Sequence, residues 1–289
     1  MTIVLFADRD GSALGPLGER TVPALLPLGA VPVLERMLTA LVASGVKAAL
    51  VVTGPRAAEV EARFGKGIRW GIALEYVRRE EHESPRDVLT RLEPRLDGET
   101  IVVRGDVGAH SAVASFLSAV RGRSEERLAA VGEGGRLLGL WRVAEGKLST
   151  TEIPREPGSP SWTVGEGDTP IRLDEPVPLF DSVMTYFAAD RSAKAAVSDR
   201  ASVDPKAVLT GESTVAEDSA VLSGAKLVAT TVLPRTVIPR DLSLQNSVVS
   251  GNLVVDGLTG GTSLLTDRLP PRGAGPSSAG GRAAGVAAL

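Results

Sequence analysis

A branched apolar residue returns at every sixth position from Val197 to Leu233, through Val203, Leu209, Val215, Val221 and Leu227. Two positions before each stands a small residue, in order Ala195, Ala201, Ala207, Ser213, Ser219, Ala225 and Thr231. Each unit therefore repeats an inward aliphatic beside a tight corner. Such a unit buries its apolar row only by stacking on its neighbours, which predicts a coil of repeats with exposed edges and flat faces suited to assembly. After Leu233 the register slips by one residue to Ile238 and Leu244, then loosens through Val248, Val249, Val254 and Val255, as a terminal coil does.

The front of the chain has a different grammar. Ile3 to Ala7 is an apolar strand. Val33, Leu34, Met37, Leu38, Leu41 and Val42 follow helical spacing, and Ser44-Gly45 stops that helix before a strand at Ala48 to Val52. Arg56 to Phe64 reads as a second helix and Ile72 to Val77 alternates as a strand. Ser84-Pro85-Arg86-Asp87 reads as a capped helix start, Thr100 to Val103 as a buried strand, Ser111 to Val120 as a helix, and Leu128 to Val131 and Leu137 to Val143 as strands. Strands and helices alternating at these lengths imply an α/β unit with a mostly parallel sheet covered on both faces.

The loop after the first strand, Ala7-Asp8-Arg9-Asp10-Gly11-Ser12-Ala13-Leu14-Gly15-Pro16-Leu17, decides what this α/β unit can do. With Pro23, Leu25, Leu26 and Pro27 behind it, it resembles the A-G-G-x-G-T-R-L-x-P-L…K-P-L-L-P signature of the sugar-1-phosphate nucleotidyltransferases, the nucleotide-sugar pyrophosphorylases typified by mannose-1-phosphate guanylyltransferases. Val52-Thr53-Gly54-Pro55-Arg56-Ala57-Ala58-Glu59-Val60 matches a second stretch of that family, V-T-G-x-x-A-E-x-I. The C-terminal repeat resembles the hexapeptide-repeat left-handed β-helices that several of its members carry. The resemblance implies a Rossmann-like nucleotidyltransferase domain over residues 1–190 and a left-handed β-helix over 191–259; composition adds a Gly/Pro/Ser/Ala-rich tail, expected to lack structure, over 260–289.

The departures from the signature fall on working residues. The two early glycines are Asp8 and Arg9, the arginine is Ala13, and the lysine is Val22. A polyphosphate is held by backbone N–H groups that glycine lets approach and by cations that offset its charge; here Gly11 and Ser12 remain as candidates for the nucleotide loop, Arg9 and Arg20 as candidates to restore a cation, and Asp8 puts a carboxylate where phosphates belong. The family's base-contacting turn is replaced by the charged stretch Arg78 to Glu83.

Arg104-Gly105-Asp106 follows a strand at its carboxyl end, where open α/β sheets bind ligands. The resemblance makes Asp106 the counterpart of a magnesium-binding aspartate, and Asp168, in a loose echo of a second motif, its candidate partner for Mg²⁺. Each also has a plain reading as a turn residue. The interval between them leaves little room for a sugar-phosphate pocket.

With a net charge of −3 nothing in the composition calls for nucleic acid, and with no cysteine there is neither disulfide nor thiolate metal site. His82 and His110 lack metal-ligand spacing. No apolar run is long enough to span or anchor in a membrane, so the expected place is the cytoplasm. The expected function is a nucleotidyltransferase-like protein with turnover lost or weakened, binding a nucleoside triphosphate or nucleotide-sugar as a regulatory subunit and forming homo- or hetero-oligomers through the β-helix. The alternatives are a divergent active enzyme that uses Mg²⁺ to make a nucleoside-diphosphate sugar, and a structural oligomer whose front domain is a relic.

Overall fold

The computed structural model describes residues 1–155, 162–173, 180–193 and 195–268. The front half is built on β1 (Thr2–Ala7), a two-residue ribbon β2 (Pro27–Leu28) and β3 (Val31–Pro32), α1 (Val33–Ala43), β4 (Ala48–Thr53), α2 (Ala57–Phe64) and β5 (Ala73–Arg78). It continues through α3 (Pro85–Leu92), β6 (Thr100–Arg104), α4 (Ala112–Ala119), β7 (Arg127–Val131), β8 (Leu137–Val143) and β9 (Thr169–Arg172). The helices and strands expected from periodicity stand where the sequence puts them, within a residue or two. Ser84 and Asp87 close a full capping box ahead of α3, with Pro85 in its first turn.

Seven strands form one sheet in the order β5-β4-β1-β6-β8-β7-β9. β5, β4, β1 and β6 are mutually parallel, and β8 alone runs against its neighbours. The chain steps outward from β1 to β4 and β5, then returns to the other side of β1 as β6. That reversal puts a crevice at the carboxyl ends of β1 and β6, the place where doubly wound sheets receive ligands. Residues of both sheet faces are sealed: Val4, Leu5, Phe6, Val51, Val52, Val102 and Val103 have no exposed surface.

Behind α5 (Val183–Ser192) come the short strands β10 (Ala196–Val197), β11 (Ser202–Val203), β12 (Val208–Thr210), β13 (Thr214–Val215) and β14 (Ala220–Val221). They lead into β15 (Lys226–Val232), β16 (Val237–Ile238) and β17 (Ser243–Ser250). These strands pair in parallel with strands one coil further on. Val203 lies beside Val221 and Val221 beside Ile238, so the register slip read from the sequence is a coil one residue shorter. Of the six-residue row, Val215, Val221, Leu227 and Leu233 are buried, but Val197 is 50% exposed. The first coil has no predecessor to cover it, and there the expected inward position fails.

The coil closes with two antiparallel strands, β18 (Leu253–Asp256) and β19 (Thr262–Leu264), followed by a short 3-10 turn. Ordered pairing therefore reaches past residue 260, where composition alone began the tail. A strand forms because Leu253, Val254 and Val255 offer β19 a complete ladder, and backbone pairing needs no particular side chain. The remainder of the expected tail, 269–289, lies outside the described residues.

The two halves share a core. Leu14, Leu17, Leu26 and Val33 of the front half pack with Phe180, Tyr186 and Phe187 of the α5 segment and with Leu233, Val248 and Val255 of the coil. Tyr186 donates from its hydroxyl to the Pro27 carbonyl at 2.8 Å. Asp190 pins all three parts: its carboxylate accepts the Gly29 N–H at 2.7 Å and the Thr231 hydroxyl at 2.6 Å.

Burial pushes the Asp190 carboxyl above its ordinary value, only partly offset by the Thr231 and Gly29 hydrogen bonds. A carboxyl whose folded value is raised stabilises the fold most at pH below its unfolded value and loses that contribution as pH rises through the folded value. Relative to Asp190→Asn, the parent protein is therefore expected to lose stability as pH rises above about 4, the ordinary value of an unfolded aspartate. Urea unfolding at four pH values reads this difference, and a pH-independent gap between the two proteins refutes it.

Candidate functional site

The crevice between β1 and β6 is filled by the chain's own side chains. In-register pairing sets Phe6 beside Arg104, so the residues that follow, Asp8 and Asp106, emerge next to each other. Asp8, Arg104 and Asp106 are completely buried. The Arg104 guanidinium grips Asp106 with two hydrogen bonds, Nε to Oδ1 at 3.0 Å and Nη2 to Oδ2 at 2.7 Å. Its third nitrogen, Nη1, lies 3.0 Å from Asp8 Oδ1 as an ion pair without hydrogen-bond alignment.

Arg79 approaches the other Asp8 oxygen at 3.1 Å, and Arg155 stands at 3.9 Å. Arg79 Nη1 also donates to the carbonyls of Glu80, Glu81 and Glu83. The charged stretch that replaces the base-contacting turn is thus tied down over the crevice. Gly139, at φ 76° in β8, makes room: a Cβ there would lie 2.9 Å from Arg104 Cβ.

Burial pushes the Asp106 carboxyl up, against the pull of Arg104 and Arg9 and with the help of the Asp8 charge. The electrostatic balance differs from the sequence-based expectation. Cations are present around this crevice, since Arg9, Arg79 and Arg104 are all at most 6% exposed. They are committed internally.

The loop itself is closed in the same way. Asp10 Oδ1 accepts the Ser12 N–H at 2.8 Å, which holds the Asp10 carboxyl below its ordinary value. The Leu14 N–H bonds to the Gly11 carbonyl, and a Cβ on Gly18 would lie 1.9 Å from the Gly11 oxygen. The loop is folded onto itself, with its own carboxylate where an anion would accept from backbone N–H groups.

The remaining candidates are scattered. Arg9 is buried and donates to the Phe180 carbonyl at 2.6 Å, pointing toward the α5 segment. Arg20 is exposed on the side of the coil, 3.3 Å from the Asn252 side-chain oxygen. Asp168 immediately precedes β9, which runs the same way as β6, so it stands at the sheet edge opposite Asp106. There it pairs with Arg127 at 3.0 Å. The topology does not bring Asp168 to Asp106; the carboxylate beside Asp106 is Asp8. A signal for it existed: acidic and basic residues cluster just past the ends of two strands that pair as neighbours.

The donor set does not suit a divalent ion. Magnesium takes oxygen ligands and keeps waters around it, whereas both carboxylates here face guanidinium groups and have no exposed surface. No group of three or more potential metal ligands occurs among the described residues. His82 is exposed and His110 sits in a short 3-10 turn away from any such group.

No protein-family model matches the chain. Over 115 residues, 39% of this chain and 32% of the relative, it is 28% identical to a mannose-1-phosphate guanylyltransferase of Mycobacterium tuberculosis. A solved structure assigned as a glucose-1-phosphate thymidylyltransferase from Bacillus anthracis, in complex with a sucrose, superposes with a TM-score of 0.54. Sequence identity is 14%, and the match covers 67% of this chain and 95% of that one. Over those 115 residues the chain is similar in sequence to the guanylyltransferase, and it shares the fold of the thymidylyltransferase structure. It spans about a third of the length of the curated relative it matches. In this nucleotidyltransferase-like chain the crevice is where Asp8, Arg104 and Asp106 converge. Among the described residues, no helix is long and apolar enough to cross a membrane.

Proposed function

We propose that this protein is a nucleotidyltransferase-like binding or regulatory subunit of nucleotide-sugar metabolism, located in the cytoplasm, whose own turnover is lost or greatly weakened. One observation carries the reading: the Arg104 guanidinium lies between Asp8 and Asp106, so the carboxylate expected to serve a nucleotide-bound ion is already neutralised by the chain. Nucleotidyl transfer depends almost wholly on positioning and charge stabilisation. Removing a single preorganised donor typically costs about 2.7–4 kcal/mol, and Ala13 and Val22 replace two cations.

The C-terminal coil supports an assembly role. Parallel pairing one coil apart, with left-handed backbone at the corners Asp218, Gly224, Arg235 and Asp241, fits a left-handed β-helix of hexapeptide repeats. Its half-open first coil and its flat faces suit homo- or hetero-oligomers.

The test is pyrophosphate release with each nucleoside triphosphate and a panel of sugar 1-phosphates, in the presence of Mg²⁺. Working enzymes turn over at about 10 s⁻¹; this protein is expected to fall at least four powers of ten below that. Release near the ordinary rate that disappears in Asp106→Asn would overturn the proposal and restore the divergent enzyme.

A further inference from the structure

The segment between β5 and α3 lies over the crevice, and it is held differently from the rest of the fold. From Arg78 to Ser84 only Arg79 is buried; Glu80, Glu81 and His82 are exposed, and Glu83 and Ser84 are half-buried. The segment therefore brings no apolar side chain to a core, and hydrophobic burial does not keep it in place. Segments with few buried contacts are the first to open locally.

What holds it is charge. Arg79 Nη1 donates to the carbonyls of Glu80, Glu81 and Glu83 at 2.9, 3.0 and 3.1 Å, which folds the segment around one guanidinium. Arg79 Nε stands 3.1 Å from Asp8 Oδ2. Arg155 repeats the arrangement, donating from Nη2 to the Glu83 carbonyl while its Nε lies 3.9 Å from the same Asp8 oxygen. Asp8 itself cannot follow a moving segment: its other carboxylate oxygen faces Arg104, and a Cβ on Gly54 would lie 2.4 Å from its carbonyl oxygen. At the far end the Glu83 carboxylate accepts two hydrogen bonds from Arg91 of α3, each at 2.8 Å, so that end stays with α3.

We propose that residues 79–83 form a releasable strap over the crevice and that Asp8 keeps it shut, an autoinhibitory contact carried in the loop after β1. Without the Asp8 charge, Arg79 is a buried cation that faces carbonyls alone, a costly state. Its cheapest relief is to swing into water. Because three strap carbonyls are bonded to that guanidinium, the strap leaves with it, pivoting on the Glu83–Arg91 end and uncovering the carboxyl ends of β1 and β4. The inference rests on the crevice being where this protein takes its ligand, yet the strap's hold is read with no ligand present. Pyrophosphate release by the parent protein would refute the loss of turnover without touching the strap.

Hydrogen–deuterium exchange of the strap amides tests it. In the closed strap the Arg79 N–H donates to the Thr53 carbonyl at 2.8 Å, the Glu80 N–H to the Glu83 carboxylate at 2.8 Å, and the Glu83 N–H to the Glu80 carbonyl at 3.2 Å. Asp8→Ala and Arg79→Gln are each expected to speed exchange of these amides at least about tenfold. The double variant is expected to go no further than either alone, since both cut the same tie. Phe64→Ala weakens the front core without touching the strap and is expected to leave strap exchange within about twofold of the parent. Asp8→Asn removes the charge at nearly constant shape and is expected to act in the same direction, which keeps the test open if Asp8→Ala does not fold. Strap exchange in the parent as fast as in an unfolded chain overturns the inference. So does unchanged exchange in the folded Asp8 and Arg79 variants, or an equal acceleration in Phe64→Ala.

Discussion

Arg104→Met is expected to lower the free energy of unfolding by about 3–5 kcal/mol, because it leaves Asp106 without its partner in a pocket closed to water. Methionine matches much of the volume, so little of the loss comes from packing. Asp8 retains Arg79, whereas Asp106 loses its two-point partner and keeps the pull of Arg9. The cheapest relief is to protonate one carboxyl of the pair. The variant is therefore expected to be most stable in acid and to weaken steeply as pH rises through the raised value, since a raised carboxyl stabilises only below it.

The triple variant Asp8→Asn, Arg104→Met, Asp106→Asn removes all three charges together and is expected to recover most of the loss, since neutral groups of similar shape often replace a buried ion network at little cost. Denaturant unfolding at pH 5 and pH 8 measures all of this. A loss under about 1 kcal/mol in Arg104→Met would show that the crevice is open to water and the guanidinium is no plug.

Phe187→Ala is expected to cost about 3–5 kcal/mol as well, by a different route. Phe187 is 2% exposed and sits in the core shared by the two halves, against the turn at Gly257, where an added Cβ would lie 2.4 Å from its ring. Removing the ring opens a cavity at the seam, not within either half. Two unfolding transitions are expected to replace one, with the coil and the sheet domain melting apart. Phe64→Ala, which lies within the front core, is expected to destabilise without splitting the transition. A single, unsplit transition for Phe187→Ala would mean the halves are coupled elsewhere.

Much of this architecture is legible in the sequence, because its elements are specified by local periodicity. The run from Val33 to Val42 could be little but a helix, and the six-residue row from Val197 could bury itself only by stacking. Where reading failed, the cause was missing context. Val197 obeys the repeat yet stays half exposed, because the pattern does not say which coil is terminal. Residues 260–264 carry the composition of a tail but meet a waiting strand edge.

The candidate site was legible only as a set of losses. Asp106 and the departures at Asp8, Arg9, Ala13 and Val22 stood out one by one, and Asp168 was the natural partner by motif. What those residues do to one another was hidden. Whether Asp8 repels an anion or neutralises an arginine depends on the register of β1 against β6, a pairing between segments nearly a hundred residues apart.

The sequence by itself determined an α/β half with a nucleotidyltransferase-like loop, a coil of short repeats, and the absence of the usual phosphate grips, because hydrophobic period and residue type act over a few neighbouring positions. Only the tertiary structure decided that Arg104 fills the crevice and that Asp168 stands at the far edge. Charge interactions are set by distance and by exclusion of water, and both are properties of the folded arrangement alone.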